Sequence, residues 1–253
     1  MLLEVSNLAV SFGGIKALDL TNFSLSDKEL RVIIGPNGAG KSTFMDILCG
    51  KTKPDTGYIS FNGKATKHLT EVEIAELGIG RKFQKPSVFP SLSVFDNMSI
   101  AAKMKKDVFT SLFFKASPAF TEKIHVMAKK VGLSNVLQQL AGSLSHGQKQ
   151  WLEIAIVVLQ DPLLLLIDEP AAGMSDKETE KTGELLLELS QHHGVIVIEH
   201  DMHFVKQIAN KLVTVLVNGK LLMEGSFEEV RNDQRVIDCY LGRANSQLEI
   251  LSL

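Results

Sequence analysis

The stretch GPNGAGKS, which spans Gly35–Ser42, decides the fold of this 253-residue chain. It matches the pattern GxxxxGK(S/T) in full. The hydrophobic run Leu30–Ile34 before it is typical of a strand buried on both faces of a parallel sheet, and a helical pattern follows over Lys41–Leu48. A buried strand, a glycine-rich turn and a helix in this order predict an α/β fold with a phosphate-binding turn.

The residue types in this turn suit a bound nucleoside triphosphate. Glycines let the backbone curl so that successive N–H groups point at phosphate oxygens, and the helix N-terminus adds its dipole. Lys41 is expected to reach the β- and γ-phosphates, and the Ser42 hydroxyl to ligate Mg²⁺. We therefore predict ATP and Mg²⁺ as cofactors. The predicted nucleotide-binding residues of this stretch are Gly35, Pro36, Asn37, Gly38, Ala39, Gly40, Lys41, Ser42 and Thr43.

Two adjacent carboxylates follow a second buried run, Leu163–Ile167. Asp168 is expected to hold Mg²⁺ together with Ser42. Glu169 can act as the general base that polarises an attacking water. Two acids at a strand end are often only a solvated terminus, but beside a phosphate-binding turn they favour ATP hydrolysis.

The other apolar runs predict a mostly parallel sheet. Val195–Ile198 is near-continuous like the two runs above, and Asn218-Gly219 between two runs predicts a type I′ hairpin. Helical patterns dominate about residues 86–159. We expect a single domain, 1–253, in which this helical subdomain is inserted into an α/β core of about residues 1–85 and 160–253. The remaining predicted strands are Leu3–Val5, Leu8–Phe12, Tyr58–Phe61, Val213–Val217 and Leu221–Met223, and the later predicted helices are Gly147–Leu159 and Lys177–Ser190.

Composition and charge argue against several other classes of protein. A net charge of −2 and a pI of about 6.4 give no basic excess, so nucleic acid is not a favoured partner. Cys49 and Cys239 lie far apart and suggest neither a disulfide framework nor a zinc site. The N-terminus lacks a signal-peptide pattern, and no apolar run approaches the roughly 20 residues of a membrane span. We expect a protein that is soluble by itself and reaches a membrane through a partner.

A third motif, LSHGQ at Leu144–Gln148, resembles the LSGGQ signature of ABC ATPases, and it precedes the Asp168-Glu169 strand as in that family. The resemblance covers essentially the whole chain. It implies a P-loop nucleotidase core of α/β class, with a mostly parallel sheet, an N-terminal antiparallel β part and an inserted helical subdomain. It also implies a Mg²⁺-dependent ATP hydrolase.

The same resemblance assigns roles to residues outside the loop. Phe12 would stack on adenine, although it could instead be a plain core residue. Gln84 would be the Q-loop glutamine, which acts in catalysis and contacts Mg²⁺, although it could be a surface amide. His200 would be the switch histidine that contacts the γ-phosphate in catalysis. The residues implied to bind the nucleotide of a facing subunit are Ser145, His146, Gly147 and Gln148.

Two departures from the family pattern leave questions open. His146 replaces the first glycine of the signature, where it could add a phosphate contact or point away. In the D-loop, Ala171–Asp176, Ser175 stands where the family usually has aspartate, which puts the geometry of this loop in doubt.

Within the family, the chain resembles the importer group for branched-chain amino acids and amides. Gly78–Gln84 and Ser145–Ile154 are closest to the urea-transport ATP-binding subunits, and the tail Arg235–Gly242 is shared more widely in the group. The resemblance therefore implies an importer ATPase, with urea as the expected solute. Branched-chain amino acids are the alternative solute, and a non-transport ABC ATPase is a further alternative.

The resemblance also implies partners and a location. The expected assembly has two permease subunits, a second ATPase subunit bound head to tail, as a homo- or heterodimer, and an extracytoplasmic solute-binding protein. The chain would then lie peripherally at the cytoplasmic face of the inner membrane.

Overall fold

Two β-sheets with flanking helices form the fold in the computed structural model, which describes residues 1–82, 88–102 and 117–241. The strands are β1 (Leu3–Phe12), β2 (Ile15–Leu25), β3 (Leu30–Ile34), β4 (Thr56–Phe61), β5 (Lys64–Ala65), β6 (Ile79–Lys82), β7 (Leu164–Asp168), β8 (Gly194–Ile198), β9 (Val213–Val217) and β10 (Lys220–Gly225). The helices are α1 (Lys41–Leu48), α2 (Glu71–Glu76), α3 (Val94–Ala101), α4 (Pro118–Lys130), α5 (His146–Val158), α6 (Asp176–Ser190), α7 (Met202–Ile208), α8 (Phe227–Asn232) and α9 (Gln234–Leu241).

Within the described residues, the larger sheet has six strands in the order β10-β9-β3-β8-β7-β6. All neighbouring pairs from β9 to β6 are parallel, and β10 runs antiparallel to β9. Every residue of β3, β7 and β8 is buried, because one face of the sheet packs against helices and the other packs against the smaller sheet and α1. The prediction of a mostly parallel sheet is confirmed, and the carboxyl ends of these three central strands meet at one edge.

The smaller sheet is antiparallel, in the order β2-β1-β4-β5, and it confirms the expected N-terminal antiparallel part. The runs predicted as two strands, Leu3–Val5 and Leu8–Phe12, form the single strand β1. Asn7 between them has a positive φ of 48°, which marks an irregularity in a continuous strand. Sequence patterns did not predict β2, β5 or β6.

Helices α3, α4 and α5 occupy the described part of the stretch predicted to be helical. A serine caps each of them, because Ser93, Ser117 and Ser145 accept a hydrogen bond from the backbone N–H three residues later. Their buried sides pack into one hydrophobic core with the central strands of the larger sheet. In the described ranges, none of the helices has the length and apolar character needed to cross a membrane.

A buried arginine links strands of both sheets. Arg31 of β3 is 4% exposed, and its guanidinium forms ion pairs with Glu29 and Glu224. The same group donates hydrogen bonds to Thr214 Oγ1 at 3.1 Å and to Ser24 O at 3.2 Å. Ser24 belongs to β2 of the smaller sheet, whereas Thr214 and Glu224 belong to the larger one. This network links the two sheets near the amino end of β3, the end opposite to the glycine-rich loop.

Candidate active site

The glycine-rich loop runs unusually close to neighbouring backbone. A Cβ on Gly35 would collide with the carbonyl oxygen of Leu216, and one on Gly40 would lie 2.7 Å from the carbonyl oxygen of Ala17. The φ angles of Gly35 and Gly40 are 151° and 94°, in the region that favours glycine. Both positions therefore require glycine, for space and for backbone conformation.

The hairpin between β9 and β10 supports the loop from outside. Asn218 and Gly219 both have positive φ, 49° and 78°, as the predicted type I′ turn requires. The N–H of Gly219 donates to Ala39 O at 3.0 Å, and its carbonyl accepts from Asp19 N at 2.6 Å. The middle of the loop is thereby tied to β2 and to the hairpin.

Lys41 begins α1 and points into the loop. Its side chain is largely buried, and Nζ donates to Gly35 O at 2.6 Å and to Pro36 O at 3.2 Å. Burial lowers the pKa of Lys41, while the charges of Glu169 and Asp168 act in the opposite direction. Ser42 follows on the first turn of α1 and is exposed. The ammonium group of Lys41 and the hydroxyl of Ser42 therefore lie next to the glycine-rich loop.

Asp168 ends strand β7 and is 3% exposed. Burial raises the pKa of Asp168, as does the neighbouring Glu169, whereas Arg81, Lys82 and Lys41 lower it. Its Oδ1 is buried and has no hydrogen-bond partner within the part of the chain that the structure describes. Carboxylate and hydroxyl oxygens are the ligands that Mg²⁺ prefers, so the donor set of Asp168 and Ser42 fits that ion.

Glu169 adopts a strained backbone conformation next to the buried aspartate. Its φ is 46°, in the left-handed region that non-glycine residues rarely occupy. Its N–H donates to Ile198 O at 3.0 Å, at the end of β8. The Glu169 Oε1 lies 3.4 Å from Nδ1 of His200. Two of the predicted catalytic side chains therefore meet directly, and both are accessible to solvent.

Phe12 stands at the end of β1 and is 52% exposed, so it is not a plain core residue. Phe12 pairs with Ile15 in the antiparallel ladder of β1 and β2. Two residues further along β2, the backbone of Ala17 packs closely against Gly40 of the glycine-rich loop. Phe12 therefore belongs to the β1–β2 hairpin, which borders the glycine-rich loop. Gln84, the third predicted catalytic residue, lies outside the described residues.

The signature segment forms the N-terminus of α5. Ser145 and Gln148 make a reciprocal capping box: Ser145 Oγ accepts from Gln148 N at 3.2 Å and Gln148 Oε1 from Ser145 N at 3.0 Å. Gly147 is buried against the carboxylate of Glu178 in α6, which a Cβ at this position would strike. The structure thus places the signature beside the start of α6 in the same chain.

His146 contacts the D-loop of its own chain. Its Nε2 lies 3.0 Å from Ala172 O and 3.3 Å from Gln150 Nε2, and a Cβ on Gly173 would lie 3.4 Å from its ring. With Nε2 protonated, the histidine donates to the carbonyl of Ala172. One ring nitrogen of His146 is therefore used within the chain, and a phosphate contact by this residue stays a prediction.

Ser175, which replaces the usual aspartate of the D-loop, is the N-cap of α6. Its backbone N–H donates to Glu178 Oε2 at 3.0 Å and its hydroxyl to the same oxygen at 2.8 Å. These bonds lower the pKa of Glu178. Serine is thus accommodated here as a helix cap.

Three residues around the site were not singled out by sequence reasoning. Lys82 and Glu153 are 2% and 3% exposed and form an ion pair, Nζ to Oε2 3.6 Å, that joins β6 to α5. Burial lowers the pKa of Lys82. Glu199, directly before His200, is 1% exposed. The available signal for Glu199 was its place directly after the buried apolar strand β8, whereas Lys82 ends the unpredicted strand β6 and Glu153 lies within α5.

Comparison with protein families gives two matches. A family model described as ABC transporter matches residues 18–172. A second, described as branched-chain amino acid ATP-binding cassette transporter, matches residues 220–245. The second match covers β10, α8 and α9. Burial raises the pKa of Tyr240 in α9 to about 12, while the backbone of Gly35 acts to lower it.

Individual proteins resemble the chain over nearly its full length. The high-affinity branched-chain amino acid transport ATP-binding protein LivG of Salmonella typhimurium is 35% identical over 252 residues, which cover 96% of this chain and 98% of LivG. BraF of Pseudomonas aeruginosa, which has the same description, is 36% identical over 253 residues, with 96% and 98% covered.

Solved structures agree with this similarity. A nucleotide-free ATP-binding cassette from an ABC transporter superposes with a TM-score of 0.81 at 30% identity, covering 94% of this chain and 98% of that one. The ADP conformation of an ATP-binding cassette of an ABC transporter gives a TM-score of 0.82 at 30% identity, covering 95% and 98%.

The hydrogen bond between His146 and Ala172 O predicts a measurable role for this histidine. His146→Gly removes the bond, so we expect the free energy of unfolding to fall by about 1 kcal/mol and kcat for ATP hydrolysis to fall by about 2- to 10-fold. Steady-state ATPase assays and chemical denaturation measure the two effects. His68→Gly, at an exposed turn, is the control and should change neither. Equal kcat values for His146→Gly and the wild-type chain would show that the contact is incidental.

Proposed function

The chain belongs to the ABC transporter family, and we propose that it is the ATP-binding and ATP-hydrolysing subunit of an importer. The observation that carries this proposal is the convergence of four side chains at one sheet edge. The loop after β3 leads to Lys41, the end of β7 carries Asp168 and Glu169, and His200 follows the end of β8. These three strands are neighbours in the sheet. That arrangement suits phosphoryl transfer to water, in which positioning and charge stabilisation supply most of the catalysis.

Nucleotide binding begins at the loop. Backbone N–H groups of the loop and of the first turn of α1 donate hydrogen bonds to the phosphate oxygens, and Phe12 stacks on the base. The Lys41 ammonium, which is held by Gly35 O and Pro36 O, turns to the β- and γ-phosphate oxygens. The ammonium thus exchanges two bonds to neutral carbonyl oxygens for bonds to anionic phosphate oxygens, in which both partners carry charge.

Mg²⁺ would be held by Asp168 and Ser42, with Gln84 as a further candidate ligand. When bound, the ion neutralises charge on the phosphate oxygens. Asp168 is suited to this position because its buried Oδ1 lacks a hydrogen-bond partner in the described ranges and the cations around it oppose the effect of burial on its pKa.

Glu169 then orients and deprotonates the attacking water. Its strained backbone holds the carboxylate at the exposed end of β7, with Nδ1 of His200 3.4 Å away. In this proposal, His200 donates a hydrogen bond to the γ-phosphate oxygen on which negative charge develops. Turnover thus needs both side chains at the same edge of the sheet.

Coupling to transport requires a second ATPase subunit and two permeases. The signature, Ser145–Gln148, is the surface proposed to contact the nucleotide of a facing subunit, with the N-terminus of α5 aimed at phosphate. ATP between the subunits favours the closed pair, because only the closed pair makes contacts from both sides. Hydrolysis removes that preference, and the permeases respond. We place the chain at the cytoplasmic face of the membrane on this basis, with a solute-binding protein outside.

Branched-chain amino acids are the solute that the comparisons favour. LivG and BraF are described as branched-chain amino acid transport proteins, and both align with nearly the whole chain. Urea stays the second candidate, because Gly78–Gln84 and Ser145–Ile154 resemble the urea-transport subunits. No residue of this subunit touches the solute in the proposed assembly, so the choice must come from transport measurements.

Glu169→Gln tests the proposed base. The amide keeps the size of the side chain but cannot take a proton, so we expect kcat for ATP hydrolysis to fall by at least about 100-fold with ATP affinity preserved. Phosphate release and equilibrium binding of ATP are the two measurements. Glu184→Gln, on an exposed position of α6, is the matched control and should hydrolyse ATP like the wild-type chain. Normal turnover by Glu169→Gln would assign the base to another group.

Uptake by cells that lack this subunit identifies the solute. We expect loss of leucine uptake with urea uptake unchanged, and restoration by the wild-type chain but not by Glu169→Gln. Loss of urea uptake alone would instead support the second candidate. Unchanged uptake of both solutes would contradict the proposed importer of this group.

A further inference from the structure

Glu199 is the most buried carboxylate near the site, and the proposed reaction does not use it chemically. It follows the last residue of β8 and directly precedes His200. Its side chain is 1% exposed, so it cannot take a proton from a bound water or contact a phosphate.

Both carboxylate oxygens of Glu199 are occupied by backbone donors. Oε1 accepts from the N–H of Ala171 at 3.3 Å. Oε2 accepts from the N–H of His200 at 3.1 Å, and Asp201 N lies 3.5 Å from the same oxygen. One carboxylate therefore fixes the backbone of its own segment at His200 and ties that segment to the one that follows Glu169.

Packing alone does not account for an acid at this position. Moving a carboxylate into the interior is unfavourable because it loses its hydration, and an apolar side chain of similar volume would fill the space without that cost. Burial raises the pKa of Glu199, while the N–H groups of His200 and Ala171 lower it. These hydrogen bonds offset part of the free-energy cost of burying the carboxylate only if the two segments keep their positions.

We propose that Glu199 is a positioning residue for hydrolysis, which holds Glu169 and His200 in register. Ala171 is two residues after Glu169, and Glu199 fixes its N–H on the same carboxylate that fixes His200. Glu169 has a left-handed backbone conformation, which persists only where neighbouring structure enforces it. The distance of 3.4 Å between Glu169 Oε1 and His200 Nδ1 follows from this double attachment. The inference rests on the proposed ATPase function.

Two substitutions separate positioning from packing. Glu199→Gln keeps the shape but has one oxygen, so it can accept from one segment and must face the other with its NH₂ group. Glu199→Asp keeps the charge but is one methylene shorter, so it cannot reach both segments. The matched control is Glu29→Gln, because Glu29 is also a buried carboxylate, 5% exposed, which accepts from Ser26 N at 2.9 Å and pairs with Arg31. It precedes β3, whereas the glycine-rich loop follows the other end of that strand.

The experiment measures kcat and KM for MgATP and chemical unfolding of the full chain for these variants. We expect Glu199→Gln to lower kcat by about 10- to 100-fold with KM within about twofold, since misplacement of catalytic groups affects the transition state more than binding. Glu199→Asp should lie between that variant and the wild-type chain. Glu29→Gln should unfold at lower denaturant but keep the wild-type kcat.

Wild-type kcat in Glu199→Gln, or a fall in kcat no larger than that of Glu29→Gln, would overturn the proposal and leave Glu199 a structural residue. If Glu199→Gln does not fold, Glu199→Asp decides, and wild-type kcat in that variant would overturn it. Failure of the proposed function looks different, because the wild-type chain itself would then not hydrolyse ATP.

Discussion

The parallel alignment of β3, β8 and β7 is the constraint on which the site depends. Parallel strands deliver their carboxyl ends to one edge of a sheet, and these three are neighbours in the order β3-β8-β7. The glycine-rich loop follows β3, Asp168 and Glu169 end β7, and Glu199 and His200 follow β8. Residues more than 150 positions apart in sequence, such as Lys41 and His200, therefore belong to one site without any long loop to bring them together.

Charges at this edge are buried unevenly, and each has a physical role. Lys41, Asp168 and Glu199 are all less than a tenth exposed, whereas Glu169 and His200 face solvent. Burial lowers the pKa of Lys41 and raises the pKa of Asp168 and Glu199, which favours the neutral form of each. Opposite charges or backbone N–H groups counter that effect. The buried groups thus hold and align, while the exposed pair is free to meet water and phosphate.

Much of this fold was predictable because it depends on local rules. Continuous apolar runs predicted β3, β7 and β8, a loop motif predicted the start of α1 at Lys41, and Asn218-Gly219 predicted the hairpin. Strands β2 and β6 were not predicted, since β2 has both polar and apolar residues on a half-exposed sheet and β6 contains Arg81 and Lys82, whose burial depends on distant acids. The contacts of His146 and Glu199 were equally unpredictable, because their partners lie 26 and 28 residues away in sequence.

The central claim is that this edge of the sheet binds ATP through the glycine-rich loop. Equilibrium titration of the full chain with MgATP, compared between the wild-type chain and Lys41→Ala, tests it most directly. Loss of the charge-assisted bonds to the phosphates should weaken binding by about 10-fold or more, since such bonds contribute roughly 1.5–3 kcal/mol. The unfolding transition of the variant should stay cooperative. Equal affinity of Lys41→Ala and the wild-type chain for MgATP would contradict the account.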